Sequence, residues 1–448
     1  MNLEALRELI RMQEIDTVVV AMTDMQGRLQ GKRFHARYFL DEVVPNATEA
    51  CAYLLAVDAE MNTVDGYEIT SWENGYGDFV LIPDMATLRV TGWHPGTALV
   101  LADVAALDGS PVRPSPRQVL RAQLARADAL GWTALAGTEL EFIVFEGSYE
   151  HAWDHGYRNL TPANRYNADY SLLGTGRIEP LLRDIRNSMA AANLVVESAK
   201  GECNLGQHEI AFRYDNALTT ADQHSIYKTG AKEIAAKHGY SLTFMAKPND
   251  REGNSCHIHL SFRTADGEPV MAGDGPHGLS PAGGSMIAGL LKGLRELTLL
   301  FAPTINSYKR YAEGSFAPTG VAWGVDNRTC ALRLVGHGPS LRIECRVPGG
   351  DANPYLALAG LVAAALDGVE QSAELPAPVT GNAYAVPGLP RVPPALDEAL
   401  ALWVSSELAA KAFGQDVVDH YATMARVEID AYRSAVTDWE LHRYFERI

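Results

Sequence analysis

The sequence predicts an α+β protein with a small β-rich N-terminal part and a larger part in which strands and helices alternate. Short strand-like runs fill much of residues 16–104. The segment 108–116 is dense in Gly, Ser and Pro, which is typical of a boundary between domains. Beyond it, apolar strand-like runs alternate with helical stretches up to a helical C-terminal tail. We therefore expect two domains, residues 1–110 and residues 111–448.

The individual elements follow from local patterns. Residues 3–14 predict a polar amphipathic helix, residues 16–24 a strand, and residues 25–28 a turn into a second strand. After the boundary, Ser115 and Pro116 suit an N-cap and a first helical position, so a helix is expected from 116 to 130. Further helices are expected over 178–193, 218–238, 284–301, 353–370 and from about 416 to 448, with an irregular surface loop over 147–167.

The composition of the chain argues against several classes of partner and site. The chain has 448 residues, of which 47% are hydrophobic and 21% charged, and its net charge of −17 argues against nucleic acid and anionic membranes as partners. Five cysteines without a C-x-x-C spacing indicate neither a disulfide framework nor a cysteine zinc site. The polar start is unlike a signal peptide and no apolar run is long enough to span a membrane, so a cytoplasmic protein is expected.

Charged residues recur two positions apart in three apolar segments, at Glu139 and Glu141, at His257 and His259, and at Arg342, Glu344 and Arg346. Since a strand sends alternate side chains to opposite faces, each segment should bury its apolar residues and gather its charges on the other face. Carboxylates crowded on one wall need cations among them. The pattern predicts a sheet whose polar face holds metal ions and anions, although ordinary salt bridges would explain any one charge alone.

The ligand types suggest which ions bind. Carboxylates dominate and imidazole is present, which suits Mg²⁺ or Mn²⁺ better than zinc. The metal-competent groups are Glu139 and Glu141; Glu197, Glu202 and Glu209; His257 and His259; and Glu344. Arginines cluster near Glu344, at Arg310, Arg328, Arg333, Arg342 and Arg346. Arginines beside metals favour phosphoryl transfer to an anionic acceptor, with an ion-pair network as the alternative. The chain contains neither a P-loop nor a G-x-G-x-x-G motif.

Six motifs resemble the glutamine synthetase family, in the family's order and over nearly the whole chain. They are Glu139-Leu-Glu141-Phe, Lys200-Gly-Glu202 through Glu209, Gly253-Asn-Ser-Cys-His257-Ile-His259, Asn306-Ser-Tyr-Lys-Arg310, Asn327-Arg328 with Arg333, and Arg342-Ile-Glu344-Cys-Arg346-Val-Pro. The resemblance implies a small β-grasp-like N-terminal domain and a large α/β catalytic domain with a mainly antiparallel curved sheet. It also implies a homo-dodecamer with sites between neighbouring subunits.

The resemblance further implies a role for each matching position. Glu141, Glu202 and Glu209 match the ligands of the metal on the glutamate side, and Glu139, His257 and Glu344 match those of the metal that holds the ATP phosphates. ATP contacts are implied for Glu197, His259, Ser261, Arg333 and Arg342, and glutamate contacts for Gly253, Arg310 and Arg346. Arg328 and Arg333 match the arginines around the transferred phosphoryl group. The implied reaction consumes ATP, uses two or more Mg²⁺ (or Mn²⁺) ions and proceeds through γ-glutamyl phosphate.

The departures from the family pattern concern the amine. The acidic F-D-G-S-S motif of ammonia-using members is missing from residues 57–67, and Phe316 replaces the flap glutamate. An aromatic ring cannot take a proton from ammonium, but it can line a pocket for a carbon-bearing amine. Asp58, Glu60, Asp65 and Glu313 are candidate substitute acids, and Tyr170 resembles a tyrosine of the family's amine pocket.

These departures resemble the γ-glutamylethanolamide and γ-glutamylpolyamine synthetase branch. The expected activity joins the γ-carboxylate of L-glutamate to a small organic amine, with ethanolamine as first choice and Phe316 as a selector of the amine. Polyamines or other short alkylamines are the alternative acceptors, and an ordinary ammonia-using glutamine synthetase is the alternative enzyme. A catalytically inactive relative is a third possibility, which the presence of all six metal ligands disfavours.

Overall fold

The computed structural model describes residues 1–448 and contains two β-sheets, one on each side of residue 110. The strands in chain order are β1 Thr17–Thr23, β2 Leu29–His35, β3 Thr48–Cys51, β4 Asp78–Pro83, β5 Arg89–Val90, β6 Thr97–Ala105, β7 Trp132–Glu146, β8 Val196–Gly201, β9 Gln207–Phe212, β10 Asp215–Asn216, β11 Tyr240–Thr243, β12 Cys256–Thr264, β13 Trp323–Val325, β14 Leu332–Val335 and β15 Arg342–Cys345.

Fifteen α-helical segments accompany these strands. In chain order they are α1 Leu3–Arg11, α2 Ala36–Tyr38, α3 Val44–Asn46, α4 Pro116–Ala129, α5 Tyr149–Asp154, α6 Leu172–Gly176, α7 Glu179–Ala191, α8 Ala217–Lys237, α9 Pro281–Gly293, α10 Thr298–Phe301, α11 Pro354–Glu370, α12 Leu396–Val404, α13 Glu407–Phe413, α14 Gln415–Ser434 and α15 Asp438–Tyr444. No helix combines the length and the apolarity that a membrane crossing requires.

The N-terminal sheet has the order β2-β1-β6-β4-β3, and β5 pairs with β6. Its pairs are antiparallel except for β1 and β6, which run parallel at the centre. Val18, Val20 and Val100 on these central strands are fully buried, as β-branched residues of a sheet core should be.

The large sheet has the order β13-β14-β15-β12-β7-β9-β8, with β10 and β11 also pairing with β7. All its pairs are antiparallel except β13 with β14. The 15-residue strand β7 is therefore its central strand, bonded to four others. Helices α4 and α8 pack against β7 and bury its apolar face.

Behind these helices lies α11, an alanine- and leucine-rich helix that is buried along almost its whole length. It contacts α4, α8 and α9. At the crossing with α9, a Cβ added to Gly289 would lie 2.6 Å from the Cα of Gly368. The two helices therefore touch backbone to backbone, which only glycine permits.

A buried arginine links the N-terminal sheet to the helices that cover the large sheet. Arg117 on α4, with 3% of its side chain exposed, bonds to Asp222 on α8 at 2.9 and 3.0 Å and to Asp84 at 2.8 Å, and it also contacts Asp103 on β6. Desolvation lowers the pKa of this arginine, but the surrounding aspartates raise that pKa by a larger amount. Arg117 therefore stays charged. The half-buried Arg121 bonds to Asp84 and Asp103 from the next turn.

The structure confirms most of the expected elements and corrects several. The expected helix over 284–301 is wrong because it forms two helices, α9 and α10, and the expected tail from 416 to 448 likewise divides into α14 and α15. Residues 147–167 contain the short helix α5 rather than loop alone, and α1 ends at Arg11. Ser115 occupies the N-cap of α4, but its side chain makes no capping bond. All five cysteines are free. The division into domains at residue 110 stays a prediction.

Candidate active site

Strand register brings the alternating charges together on one face of the large sheet. On β7, Glu139 pairs with His257 of β12, and Glu141 pairs with Glu209 of β9. Farther along, His259 of β12 stands opposite Glu344 of β15. On the opposite face, Leu140, Phe142, Ile258, Leu260 and Ile343 are at most 1% exposed. The predicted division into a buried apolar face and a charged face is confirmed.

One cluster consists of Glu139, His257 and Glu344, whose ligand atoms all lie within 4.8 Å of one another. Nδ1 of His257 lies 3.4 Å from Oε2 of Glu139 and 3.6 Å from Oε1 of Glu344. Burial and the charge of Arg346 lower the pKa of His257, so the imidazole is neutral at pH 7. Burial raises the pKa of Glu139, but bonds from His257 and His259 outweigh it and hold that pKa well below its ordinary value.

A second cluster consists of Glu141, Glu202 and Glu209, again within 4.8 Å of one another. Glu141 is held by the backbone N–H of Ser255 at 2.8 Å, by the Ser255 hydroxyl at 2.5 Å and by Nε2 of Gln207 at 2.9 Å. Lys200 contacts Glu202 and lies 3.6 Å from Glu209. Burial and the charges of Glu139 and Glu141 raise the pKa of Glu209 to about 8, against the lowering effect of Lys200.

Both clusters fit divalent cations. Three carboxylates share the second cluster with a single lysine, so the protein alone leaves excess negative charge in a buried place. The first cluster offers two carboxylates and a neutral imidazole, and metals bind imidazole in its neutral form. Oxygen ligands with one imidazole suit Mg²⁺ or Mn²⁺. Such an ion would neutralise negative charge at a phosphoryl group.

A cavity of about 290 Å³ covers both clusters. Arg310 and Arg346 on its wall are 3% and 4% exposed, and the Nε of each has no hydrogen-bond partner. Arg346 is paired with Glu344, whereas Arg310 reaches only the backbone carbonyls of residues 346 and 347. A buried guanidinium without a carboxylate partner is strongly disfavoured, so the cavity suits an anionic ligand beside Arg310.

Two further arginines lie on this cavity. Arg333 bonds to Oε2 of Glu344 at 2.9 Å and also contacts Asp326. Arg328 is exposed and makes no hydrogen bond or ion pair. Gly253 lies against Arg310, and a Cβ on this glycine would stand 2.2 Å from the carbonyl oxygen of Ala246. A side chain is therefore excluded beside the buried guanidinium.

A second cavity, of about 500 Å³, adjoins the first. Its wall includes four residues with expected ATP contacts, Glu197, His259, Ser261 and Arg342. Nε of Arg342 donates to Nδ1 of His259 at 3.2 Å, and Nε2 of His259 lies 2.9 Å from Oε1 of Glu139. Glu139 lines both cavities, so this carboxylate forms the wall that they share.

The loop that carries Phe316 forms the rim of the first cavity. Phe316 has φ of 58° and is 55% exposed, and it is one of the residues that line the cavity. The Tyr384 hydroxyl donates to the carbonyl oxygen of Ala317 at 2.9 Å, and Arg346 Nη2 lies 3.5 Å from the carbonyl oxygen of Phe316. An aromatic residue thus stands on the rim of the cavity that covers the second cluster.

The candidate substitute acids lie elsewhere in the chain. Oδ1 of Asp58 accepts from the backbone N–H groups of Glu60 and Asn62, and Glu313 lies 3.9 Å from Arg391. None of Asp58, Glu60, Asp65 and Glu313 lines the cavity of its own chain, whereas Tyr170 does.

Several cavity residues were not assigned a role from the sequence. Lys200 bridges two carboxylates of the second cluster, Gln207 and Ser255 hold Glu141, and Asp169 lies beside Cys203. Lys200 and Gln207 stand in the motif that carries Glu202 and Glu209, so the motif pointed to them. Asp169 lies in a loop whose composition gives no signal.

The same motifs identify the family. Residues 113–444 match the family model described as the glutamine synthetase catalytic domain. The chain belongs to the glutamine synthetase family. It is 65% identical to a γ-glutamylethanolamide synthetase, GlnA4, of Streptomyces coelicolor, over all of this chain and 96% of that protein. It is 38% identical to a glutamate–isopropylamine ligase of a Pseudomonas species, over 99% of this chain and 97% of that protein.

Solved structures agree with this assignment. A structure described as a GmaS/ADP complex has a TM-score of 0.86 and 30% identity, covering 98% of this chain and 99% of its own. The glutamine synthetase fold therefore extends over both sheets, as the sequence predicted. The protein is an ATP-dependent glutamate–amine ligase.

Proposed function

We propose that the protein joins the γ-carboxylate of L-glutamate to ethanolamine and releases ADP and phosphate. The observation that carries the choice of an organic amine is Phe316, an aromatic side chain on the cavity rim where ammonia-using members have a carboxylate. The 65% identity with a γ-glutamylethanolamide synthetase supports ethanolamine as the amine.

The first step is attack of the glutamate γ-carboxylate on the γ-phosphate of ATP. Glutamate binds in the cavity of about 290 Å³, with its α-carboxylate near Arg310 and Arg346, because Arg310 is buried without an acidic partner. Gly253 leaves room beside this arginine. ATP occupies the cavity of about 500 Å³ and contacts Glu197, His259, Ser261 and Arg342. The attacking carboxylate then meets the phosphate across the wall that Glu139 forms.

Charge at the transferred phosphoryl group is neutralised by Arg328 and Arg333, the first of which has no partner in the protein. Glu139, His257 and Glu344, and Glu141, Glu202 and Glu209, would hold Mg²⁺ or Mn²⁺ ions, which would supply the remaining positive charge. The product of this step is γ-glutamyl phosphate. The protonated amine first loses a proton to solvent, and the neutral amine attacks the acyl carbon. The C–O bond to phosphate breaks, phosphate leaves with the electron pair, and the nitrogen releases a second proton to give the γ-glutamylamide.

The assembly is part of the proposal. In and around the last helix, Trp439 is 61% exposed, Val436 73%, Phe445 86% and Ile448 94%. Large apolar side chains so exposed favour a partner subunit. We propose a cytoplasmic homo-dodecamer whose sites lie between neighbours, with residues 1–110 and 111–448 as its two domains. Native mass spectrometry measures the subunit number directly, and a monomer would contradict the assembly.

An amine panel tests the proposed substrate. Phosphate release is measured with ATP, L-glutamate and Mg²⁺ and with ammonium, ethanolamine, methylamine, isopropylamine, putrescine or spermine. We expect the largest kcat/KM for ethanolamine and a value at least about tenfold lower for ammonium. Ammonium turnover equal to that of the best organic amine would identify an ordinary glutamine synthetase. A higher value for putrescine or spermine would identify a polyamine ligase.

A further inference from the structure

Two carboxylates on the wall of the 290 Å³ cavity lie outside both metal clusters and lack a positively charged partner. The cavity contains seven carboxylates in all. Five of them are hydrogen bonded or ion paired within the two metal clusters: Glu139, Glu141, Glu202, Glu209 and Glu344. The remaining two are Asp169 and Glu252, and neither forms an ion pair. A cationic substrate therefore has two available carboxylates in this cavity.

Asp169 is fixed in place by the backbone of strand β8. The N–H of Tyr170 donates to the carbonyl oxygen of Gly201 at 3.3 Å. A Cβ on Gly201 would stand 2.1 Å from the carbonyl oxygen of Ala168, so only glycine allows the loop to lie this close. The loop thus holds Asp169 against the residue that precedes the metal-cluster ligand Glu202.

The Asp169 carboxylate lies at the edge of the second metal cluster. Its Oδ2 accepts a hydrogen bond from Sγ of Cys203 at 3.5 Å, and the ligand atoms of Asp169, Glu202 and Cys203 all lie within 4.8 Å of one another. Asp169 is an exposed residue and lines the cavity. Since Glu202 belongs to the cluster proposed for the glutamate side, Asp169 lies beside the place where the acyl phosphate forms.

The acceptor amine needs a carboxylate of this kind. An alkylamine is protonated at neutral pH and enters as a cation, while Phe316 on the rim offers it no negative charge. A carboxylate binds an ammonium group through charge-assisted hydrogen bonds. Glu252 also lines the cavity, but it is adjacent in the chain to Gly253, which lies against Arg310, so we assign Glu252 to the glutamate side.

We propose that Asp169 binds the ammonium group of the acceptor amine. It is a binding and specificity residue for the second substrate, next to the metal cluster but not part of it. This inference rests on the proposed use of an organic amine.

The test compares four variants of the full-length enzyme with the wild type: Asp169→Asn, Asp169→Glu, Glu252→Gln and Asp154→Asn. Asp154 is exposed on α5 and lies outside the cavity, so Asp154→Asn is the matched control. The KM values for ethanolamine, glutamate and ATP are measured by phosphate release. Hydroxylamine, a nucleophile that is largely uncharged at neutral pH, is the second acceptor.

We expect Asp169→Asn to raise the KM for ethanolamine about tenfold or more, since it removes a charge-assisted bond. The KM values for glutamate and ATP and the kcat/KM for hydroxylamine should stay unchanged. Asp169→Glu should recover part of the ethanolamine affinity, and Asp154→Asn should match the wild type.

Three results would overturn the inference: an unchanged ethanolamine KM in Asp169→Asn, an equal loss with ethanolamine and hydroxylamine, or an ethanolamine effect confined to Glu252→Gln. If the proposed use of an organic amine is wrong, the outcome is different: the wild type itself uses ammonium and no organic amine. In that case the KM for ammonium in Asp169→Asn decides whether this carboxylate binds the amine.

Discussion

Glu209 offers a direct test of whether the cluster of Glu141, Glu202 and Glu209 is built for a cation. In the protein without metal, burial and neighbouring carboxylates raise its pKa from 4.5 to about 8. A carboxyl group whose pKa is raised by folding binds more protons in the native state than in the unfolded state between these values. Stability should therefore fall as pH rises from about 4.5 to 8, and replacement by the neutral isostere in Glu209→Gln should remove this loss.

The size of the effect follows from the shift. Each pKa unit corresponds to about 1.36 kcal/mol, so the charged Glu209 destabilises the metal-free protein by at most about 5 kcal/mol at pH 8. With an unfolding entropy of about 2.1 cal/mol/K per residue, a chain of 448 residues gains roughly 1 °C in Tm per kcal/mol. We expect Glu209→Gln to raise the Tm of the metal-free protein by about 3–5 °C at pH 8 and by less than about 1 °C at pH 5.

The assay is thermal unfolding of wild type and Glu209→Gln after chelation, at both pH values, repeated with excess Mg²⁺. Bound metal should reverse the order, because the wild type gains stability from the ion and the variant loses a ligand. The pH dependence of His257 is common to both proteins and cancels in the comparison. Equal Tm values in the metal-free state at pH 8, or equal stabilisation by Mg²⁺, would refute the reasoning.

The remaining predictions concern the rim and the connection between the sheets. Phe316→Glu should raise the kcat/KM ratio of ammonium to ethanolamine about tenfold, because it restores a carboxylate; an unchanged ratio in the amine panel excludes Phe316 as selector. Tyr384→Phe removes the bond to Ala317, worth about 1 kcal/mol, so the amine KM should rise several-fold; an equal rise in the ATP KM would contradict a local effect. Arg117→Met leaves a buried aspartate unpaired and should lower the free energy of unfolding by about 3–5 kcal/mol, measured in urea, whereas its control Arg121→Met should lose less than about 1 kcal/mol.

The sequence alone predicted the faces of the sheet but not its pairing. Alternation is a local property, so Glu139 and Glu141 could be assigned to one polar face from adjacent residues. Which strand lies beside which depends on contacts more than 100 residues apart, and only the structure brings His257 opposite Glu139. The family resemblance supplied that grouping in advance through its implied ligand sets.

Helix ends and loops account for the other differences. The break before α15 had a local signal, since Thr437 and Glu440 form a capping box that starts a new helix. Asp169 had none, because its position follows from the close approach of its loop to Gly201.

The spacing of Glu139 and Glu141 along β7 fixes the distance between the backbone positions of the two ligand clusters. Same-face neighbours on a strand are about 6.8 Å apart, well beyond the roughly 4 Å between ions in enzymes where two metals clamp a single phosphate. Each ligand cluster therefore includes a residue whose backbone position is fixed on β7, and side-chain motion cannot bring these two positions together. In the proposed function, one cluster serves the nucleotide and the other the amino acid, so the backbone of this one strand would set the gap that the phosphoryl group crosses.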